Sequence, residues 1–166
     1  MKNLFQFAPG VRKRLAVGLA LALVVLLLDQ VSKVMILRHF ESGAEGRVTV
    51  LPVLDFVLTW NRGVSFSLAA NLGDANRVIF GVLAVAVSAA LILWMARGAR
   101  RPALIGLGMV VGGALGNALD RIRFGAVEDF LYLHVGAFDW WPVFNVGDSA
   151  ICVGAGFLIL DSLLDR

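Results

Sequence analysis

The 166-residue chain contains little charge, a single cysteine and only two histidines. Asp, Glu, Lys and Arg make up 16% of the residues, whereas a soluble domain carries roughly a quarter. Hydrophobic residues make up 59%, and the mean hydropathy is +0.83. This composition excludes a disordered chain, and the lone Cys152 excludes an intramolecular disulfide framework. The scarcity of polar residues predicts a protein that is surrounded by lipid.

The net charge of +3 comes from basic residues that stand beside apolar runs. Basic residues at 12–14 precede the first run, and three arginines within 97–101 separate the second run from the third. Cytoplasmic loops of membrane proteins carry such an excess of Lys and Arg. We therefore expect cytoplasmic N- and C-termini, with residues 38–77 and 120–142 outside. The sequence has no stripe of basic residues interleaved with aromatic ones, so we do not expect a nucleic-acid partner.

Four apolar runs predict helices that cross a membrane, since a spanning helix needs about 20 apolar residues. We expect the spans at about residues 15–37, 78–96, 102–119 and 143–163. The second and third contain no charged residue. The first reaches full length only by including Asp29 and Lys33, and the fourth contains Asp148.

The outer segment between the first two spans has the composition of β structure. Residues 47–51 and 54–61 are rich in β-branched and aromatic side chains, and Pro52 separates them. Residues 65–72 are partly amphipathic, which fits a short interfacial helix, and a loop fits them nearly as well. The predicted fold is an all-α membrane protein of one domain, residues 1–166. It has four transmembrane helices, a small outward-facing β platform and this interfacial helix.

Ionisable side chains inside a span are costly unless they are paired or face a polar cavity, so they are candidates for function. Asp29 and Lys33 stand four residues apart on one helix face. A self-satisfied ion pair without any catalytic role is the favoured interpretation on physical grounds alone. Asp120 follows the third span, where Arg121 or Arg123 is its expected partner.

Asp129 and Asp148 differ from these acids because no Lys or Arg stands close to them in sequence. Arg123 is the nearest to Asp129, and the twenty residues before Asp148 contain none. Desolvation without a counter-ion raises the pKa of a carboxyl, and two acids brought together share one proton, as a general acid–base pair requires. A helix N-terminal carboxylate behind an Asn145 cap explains Asp148 equally well.

Other patterns favour packing over chemistry. Three glycines at a spacing of four in the third span predict the close approach of another helix. They are Gly108, Gly112 and Gly116. His39 and His134 lack the spacing of metal ligands, and Cys152 lies in an apolar span. We expect neither a metal nor a cofactor.

With these residues in place, the sequence resembles lipoprotein signal peptidases, the type II signal peptidases of bacterial membranes. Five ordered blocks, which extend from the first span to the last, carry the resemblance. They are residues 29–33 (DQVSK), 61–66 (NRGVSF), 112–121 (GGALGNALDR), 127–130 (VEDF) and 144–148 (FNVGD). Ser65 and Gly147 stand where the family usually has alanine, and Glu128 stands where it usually has an apolar residue.

The resemblance implies an aspartyl endopeptidase of the bacterial inner membrane that removes the signal peptide of diacylglyceryl-modified prolipoproteins. Cleavage falls just before the lipidated cysteine, near the outer face, and the partners are prolipoproteins and membrane lipids. We expect a monomer. The implied catalytic residues are Asp129 and Asp148. The implied supporting or substrate-orienting residues are Asp29, Lys33, Asn61, Gly63, Asn117, Asp120, Arg121 and Asn145.

Two alternatives from other classes are a small proton-coupled carrier and a non-enzymatic membrane scaffold. A proton relay requires carboxylates across the whole depth of the bilayer. The candidate acids here all lie toward the outer ends of the predicted spans. A scaffold explains the glycines but gives no reason for lone acids beside them.

Overall fold

The structure, a computed structural model, describes residues 10–43, 46–63, 74–136, 138–139 and 141–164. These residues form four helices and four strands. In chain order they are α1 (Val11–Glu41), β1 (Arg47–Leu51), β2 (Leu54–Asn61), α2 (Asp74–Ala96), α3 (Arg101–Phe124), β3 (Val127–Val135), β4 (Phe138–Asp139) and α4 (Val146–Leu163). All four helices are long and apolar enough to cross a membrane, which confirms the predicted fold class. The interfacial helix expected at 65–72 lies outside the described residues.

The helix ends differ from the predicted spans for local reasons. Helix α1 has 31 residues and is about 46 Å long at a rise of 1.5 Å per residue, whereas the hydrocarbon core measures about 30 Å. It therefore extends past the expected 15–37 at both ends. Helix α4 begins at Val146 instead of residue 143, because Phe144 bridges to Leu131 of β3 and Asn145 caps the helix.

Helix α3 lies at the centre of the bundle and contacts α1, α2 and α4, and most of its surface is buried. Its glycines allow this. A Cβ added at Gly108 would lie 2.8 Å from the carbonyl oxygen of Gly18 on α1, and one at Gly112 would lie 2.5 Å from that of Ala22. The packing role predicted for the glycines is confirmed. In the described chain, α2 and α4 do not contact one another.

The strands form an antiparallel sheet in the order β1-β2-β3-β4, of which β4 has only two residues. Strands β1 and β2 coincide with the two β-rich stretches predicted on either side of Pro52, and they pair in an antiparallel manner. Strand β3 pairs with β2 so that Asp129 lies opposite Thr59 and Glu128 lies opposite Trp60. Since α1 and α3 each lead into a strand, the sheet covers the end of the bundle where α1 and α3 end.

The two ends of the bundle have different interiors. The apolar core lies toward the end where α2 ends and α3 begins. Its buried residues are Ala22, Met95, Ala99, Ala103, Leu104, Leu107 and Val111. Beneath the sheet lies a group of buried acids and amides together with Lys33. The fold therefore places its polar interior at one end.

Candidate active site

The polar interior beneath the sheet, here called the polar centre, brings together eight side chains from α1, α3, β3 and the start of α4. They are Asp29, Lys33, Asn117, Asp120, Glu128, Asp129, Asn145 and Asp148. All except Asp148 are buried, and Asp148 is half-buried. Asn61 of β2 reaches this group from the sheet, although the residue itself is exposed.

Lys33 is the hub of the first half of the centre. Its Nζ lies 2.8 Å from Asp29 Oδ2, 2.7 Å from Asp120 Oδ2 and 3.0 Å from Asn117 Oδ1. An ammonium group has three donors, so these contacts use all of them. The predicted Asp29–Lys33 pair is confirmed. The partner expected for Asp120 was wrong, because Lys33 of α1 fills that place where Arg121 or Arg123 was expected.

Asp29 also joins α1 to the start of α4. Its Oδ1 accepts a hydrogen bond of 2.8 Å from the backbone N–H of Gly147, in the first turn of α4. A carboxylate at this position satisfies a donor that the helix leaves free and interacts favourably with the helix dipole. A Cβ added at Gly116 would collide with Asp29 Oδ2. The third glycine of the stripe therefore makes room for a carboxylate.

Gln30 also belongs to this network, a role that was not predicted from the sequence. Its Nε2 donates to Asp120 Oδ1 at 3.0 Å and lies 3.3 Å from the carbonyl oxygen of Gly116, while its Oε1 accepts from Arg123 at 3.0 Å. The sequence feature that could have identified Gln30 is its position as a polar residue next to Asp29 in a mainly apolar span.

Asp129 lies on β3, which corrects its expected position at the outer end of a span. The residue is 2% exposed. Its Oδ1 accepts a hydrogen bond of 2.7 Å from Asn145 Nδ2, and its Oδ2 accepts one of 2.9 Å from Asn61 Nδ2. Burial raises the pKa of Asp129 to about 6; the hydrogen bond from Asn61 opposes this, and the charge of Asp148 adds to it.

Gly63 orients the amide that holds Asp129. Its backbone N–H donates to Asn61 Oδ1 at 2.9 Å, so that Nδ2 of the same amide points to the carboxylate. Gly63 has φ of +81°, and a Cβ there would lie 3.3 Å from the Phe80 ring. Glycine is therefore favoured both by its backbone conformation and by the space available.

Asp148 occupies the third position of α4, where it forms a capping box with Asn145. The backbone N–H of Asp148 donates to Asn145 Oδ1 at 2.8 Å, and the backbone N–H of Asn145 lies 3.3 Å from Asp148 Oδ2. The capping interpretation is confirmed. The other carboxylate oxygen remains available and accepts a hydrogen bond of 2.8 Å from Asn117 Nδ2.

Two asparagines connect the halves of the centre. Asn145 Nδ2 contacts both Asp129 Oδ1 at 2.7 Å and Asn117 Oδ1 at 3.1 Å. The same Asn117 oxygen accepts from Lys33, while Asn117 Nδ2 donates to Asp148. The lysine thus acts on Asp148 through a neutral amide, without direct contact.

Arg121 is oriented by its own helix and by α2. Its Nη1 donates to the carbonyl oxygen of Asn117 at 3.3 Å, and its guanidinium carbon lies 5.4 Å from the centre of the Phe80 ring. Asp148, Asp129 and Asp120 interact with it electrostatically. Arg121 therefore supplies positive charge beside the two carboxylates without an ion pair to either among the described contacts.

A separate charged cluster lies on the sheet. Asp55 is fully buried and bonds to Arg47, and His134 Nε2 lies 3.0 Å from its Oδ2. Burial of Asp55 favours the neutral carboxyl, but hydrogen bonds from Thr49 and Arg47 outweigh it and lower the pKa. In the described part of the chain, no three His, Cys, Asp or Glu residues are arranged to hold a metal ion.

The fold and the polar centre define a multi-pass membrane protein with a buried group of acids and amides at one end of its bundle. A family model described as signal peptidase II matches residues 21–164. The chain belongs to this family and is therefore a peptidase.

Relatives with the name lipoprotein signal peptidase match most of the chain. The protein from Rhodopseudomonas palustris is 43% identical over 150 residues, which cover 89% of this chain and 92% of that one. The protein from Polynucleobacter necessarius is 44% identical over 148 residues, which cover 87% and 88%. A solved bacterial membrane enzyme has the same fold, with a TM-score of 0.75 and 24% identity over 91% of this chain and 95% of that chain.

Proposed function

We propose that the protein is an aspartyl endopeptidase that removes the signal peptide from diacylglyceryl-modified prolipoproteins, with Asp129 and Asp148 as its catalytic residues. One observation carries the proposal: both carboxylates accept hydrogen bonds from neutral amides, and neither is within ion-pair distance of a Lys or Arg in the described structure. Such acids stay available for proton transfer, whereas ion-paired acids are held ionised.

The two aspartates divide the work of a general acid–base pair. One, ionised, takes a proton from a water molecule that attacks the scissile carbonyl carbon. The other, protonated, transfers its proton to the carbonyl oxygen as the tetrahedral intermediate forms, and it takes that proton back when the first acid, now protonated, gives its proton to the leaving amine. Asn61, Asn117 and Asn145 orient the carboxylates. Arg121 stabilises the negative charge that develops on the carbonyl oxygen.

A lipid-modified substrate suits the surroundings of Asp148. An apolar crevice of about 250 Å³ opens beside its carboxylate. It is lined by Leu133, Trp141, Phe144, Asp148, Ser149 and Cys152. Among the described residues, α2 and α4 both contact α3 and do not contact one another. We infer that the substrate enters laterally between α2 and α4 and is cut just before its lipidated cysteine.

The basic residues beside the spans support cytoplasmic termini and an active site toward the outer face of the bacterial inner membrane. The protein acts as a monomer, as one domain, and its reaction by two carboxylates and water needs no cofactor.

The test is cleavage of a diacylglyceryl precursor by purified Asp129→Asn and Asp148→Asn proteins. Each change should reduce turnover by at least about a hundredfold, the lower range for general acid–base catalysis. Tryptophan fluorescence melting verifies folding. Asp161→Asn, at the other end of α4, is the matched control and should be active. Normal turnover by either site variant overturns the assignment, and equal cleavage of an unlipidated precursor overturns the substrate class.

A further inference from the structure

Glu128 is a buried acid to which the proposed mechanism gives no role. The residue is 1% exposed, and its Oε1 has no hydrogen-bond partner among the described residues. Its main chain, in contrast, is held on both sides. The backbone N–H lies 3.3 Å from Asp120 Oδ2, and the carbonyl oxygen lies 3.3 Å from Asn145 Nδ2. The strand therefore fixes this acid next to Asp129.

The charged groups around Glu128 come from three elements. Helix α1 presents Lys33 and Asp29, α3 presents Asp120, and β3 itself presents Asp129. The neighbour across the sheet is Trp60 of β2, which is uncharged. Three acids and one lysine thus act on the Glu128 carboxyl.

The charge of Lys33 opposes the rise in the pKa of Glu128, but Lys33 donates no hydrogen bond to it, because its three donors already contact Asp29, Asp120 and Asn117. Burial, together with the charge of Asp120, accordingly raises the pKa of Glu128 to about 7. Glu128 is protonated in mildly acidic medium and becomes charged only when the pH passes neutrality.

We propose that Glu128 is a positioning residue for the Asp129–Asp148 pair. When Glu128 is ionised, its negative charge keeps the last proton on the pair to a higher pH. The inference rests on the proposed catalytic role of the pair. Like charges in proximity oppose further ionisation of one another. Asp129 and Glu128 are consecutive on β3 and interact electrostatically. Once Glu128 is ionised, loss of the last proton from the pair requires a higher pH.

The experiment is the pH dependence of kcat/KM on a diacylglyceryl precursor for the wild type, Glu128→Gln and Glu128→Met. Both variants remove the charge, and the second also restores the apolar character usual in the family. In each, the alkaline limb should move down by roughly one pH unit, the size expected for a nearby charge at an effective dielectric constant of about 20. The acid limb should not move, because Glu128 is neutral there.

Glu41→Gln at the exposed end of α1 is the matched control and should leave both limbs unchanged. A melting series adds a readout that does not depend on turnover. Since the pKa of Glu128 is raised in the folded protein, its stabilising contribution is present below about 4.5 and is lost as the pH rises through about 7. The wild type and Glu41→Gln should show this loss, and both Glu128 variants should retain only the smaller loss that comes from the raised pKa of Asp129.

The possible failures are distinguishable. Alkaline limbs that coincide in the wild type and both Glu128 variants overturn the role of Glu128, provided that Asp129→Asn and Asp148→Asn are inactive. Turnover by those Asn variants overturns the proposed function itself, whatever the Glu128 variants do. A lower alkaline limb in both Glu128 variants, with Glu41→Gln unchanged, supports the inference.

Discussion

The acids of the polar centre fall into two groups that differ in their partners. Asp29 and Asp120 contact the ammonium group of Lys33, at 2.8 and 2.7 Å. Asp129 and Asp148 accept hydrogen bonds from asparagine side chains. A cation in contact stabilises the ionised form strongly, whereas a neutral amide does so more weakly. The first group therefore suits a structural role, and the second retains the capacity to exchange protons.

Removing the lysine should break the first group and produce the largest loss of stability. Lys33→Met leaves Asp29 and Asp120 buried without a cation, which typically costs about 3–5 kcal/mol. Tryptophan fluorescence melting in detergent measures the loss. Lys13→Met, the same change at an exposed position of the same helix, should have little effect. Equal melting temperatures for the two variants would contradict the structural role of Lys33.

A smaller loss should follow when α1 and α3 are forced apart beside Asp29. The Cβ of Gly116→Ala collides with Asp29 Oδ2, and overpacking of this kind costs about 1–3 kcal/mol. Gly156→Ala on α4 is the matched control, because a Cβ there meets no atom within 4 Å. If both alanines are tolerated alike in the same melting assay, the close approach at Gly116 has no energetic importance.

The second group can be altered without loss of the fold, and the effect should appear as a shift in pH dependence. Asn61→Ala removes a donor that stabilises the ionised form of Asp129, so the pKa of Asp129 rises further above its ordinary value. The acid limb of kcat/KM should move up by roughly half to one pH unit, which corresponds to a hydrogen bond of about 1 kcal/mol.

The control for this shift is Thr59→Val. The Thr59 hydroxyl donates to the backbone carbonyl oxygen of Asp129, at 3.1 Å, and does not contact its carboxylate. Its removal should leave the acid limb in place. An acid limb that moves equally in both variants would indicate a general disturbance of the sheet, and one that moves in neither would contradict the role of Asn61.

Local patterns in the sequence predicted the helices that carry the first group of acids and one of the two contacts with Lys33. Spans follow from apolar runs, the glycine stripe follows from a spacing of four, and the Asp29–Lys33 pair follows from helix geometry. The contact between Lys33 and Asp120 does not, because it joins two helices whose relative rotation depends on packing. Sequence proximity therefore indicated Arg121 and Arg123 as partners for Asp120, and both were wrong.

Strand β3 was missed because its sequence lacks the alternation by which strands are recognised. Val127, Glu128, Asp129 and Phe130 are all buried, so both faces of the strand are covered and the period of two disappears. Strands β1 and β2, in contrast, were predicted because both stretches are rich in β-branched and aromatic residues and Pro52 separates them. The position of Asp129 on a strand therefore could not be predicted from local sequence patterns. The absence of Lys and Arg close to it in sequence did distinguish it from the ion-paired acids.

The most direct test of the contrast between the two groups is a carbon-detected NMR titration of ¹³C-labelled aspartate in the purified protein, with Asp129→Asn used for assignment. The structure leads us to expect a resonance that titrates near pH 6, as burial of Asp129 requires, and that disappears in the variant. A midpoint for Asp129 near its ordinary value of 3.8 would contradict the claim that amide contacts leave this acid free to exchange a proton.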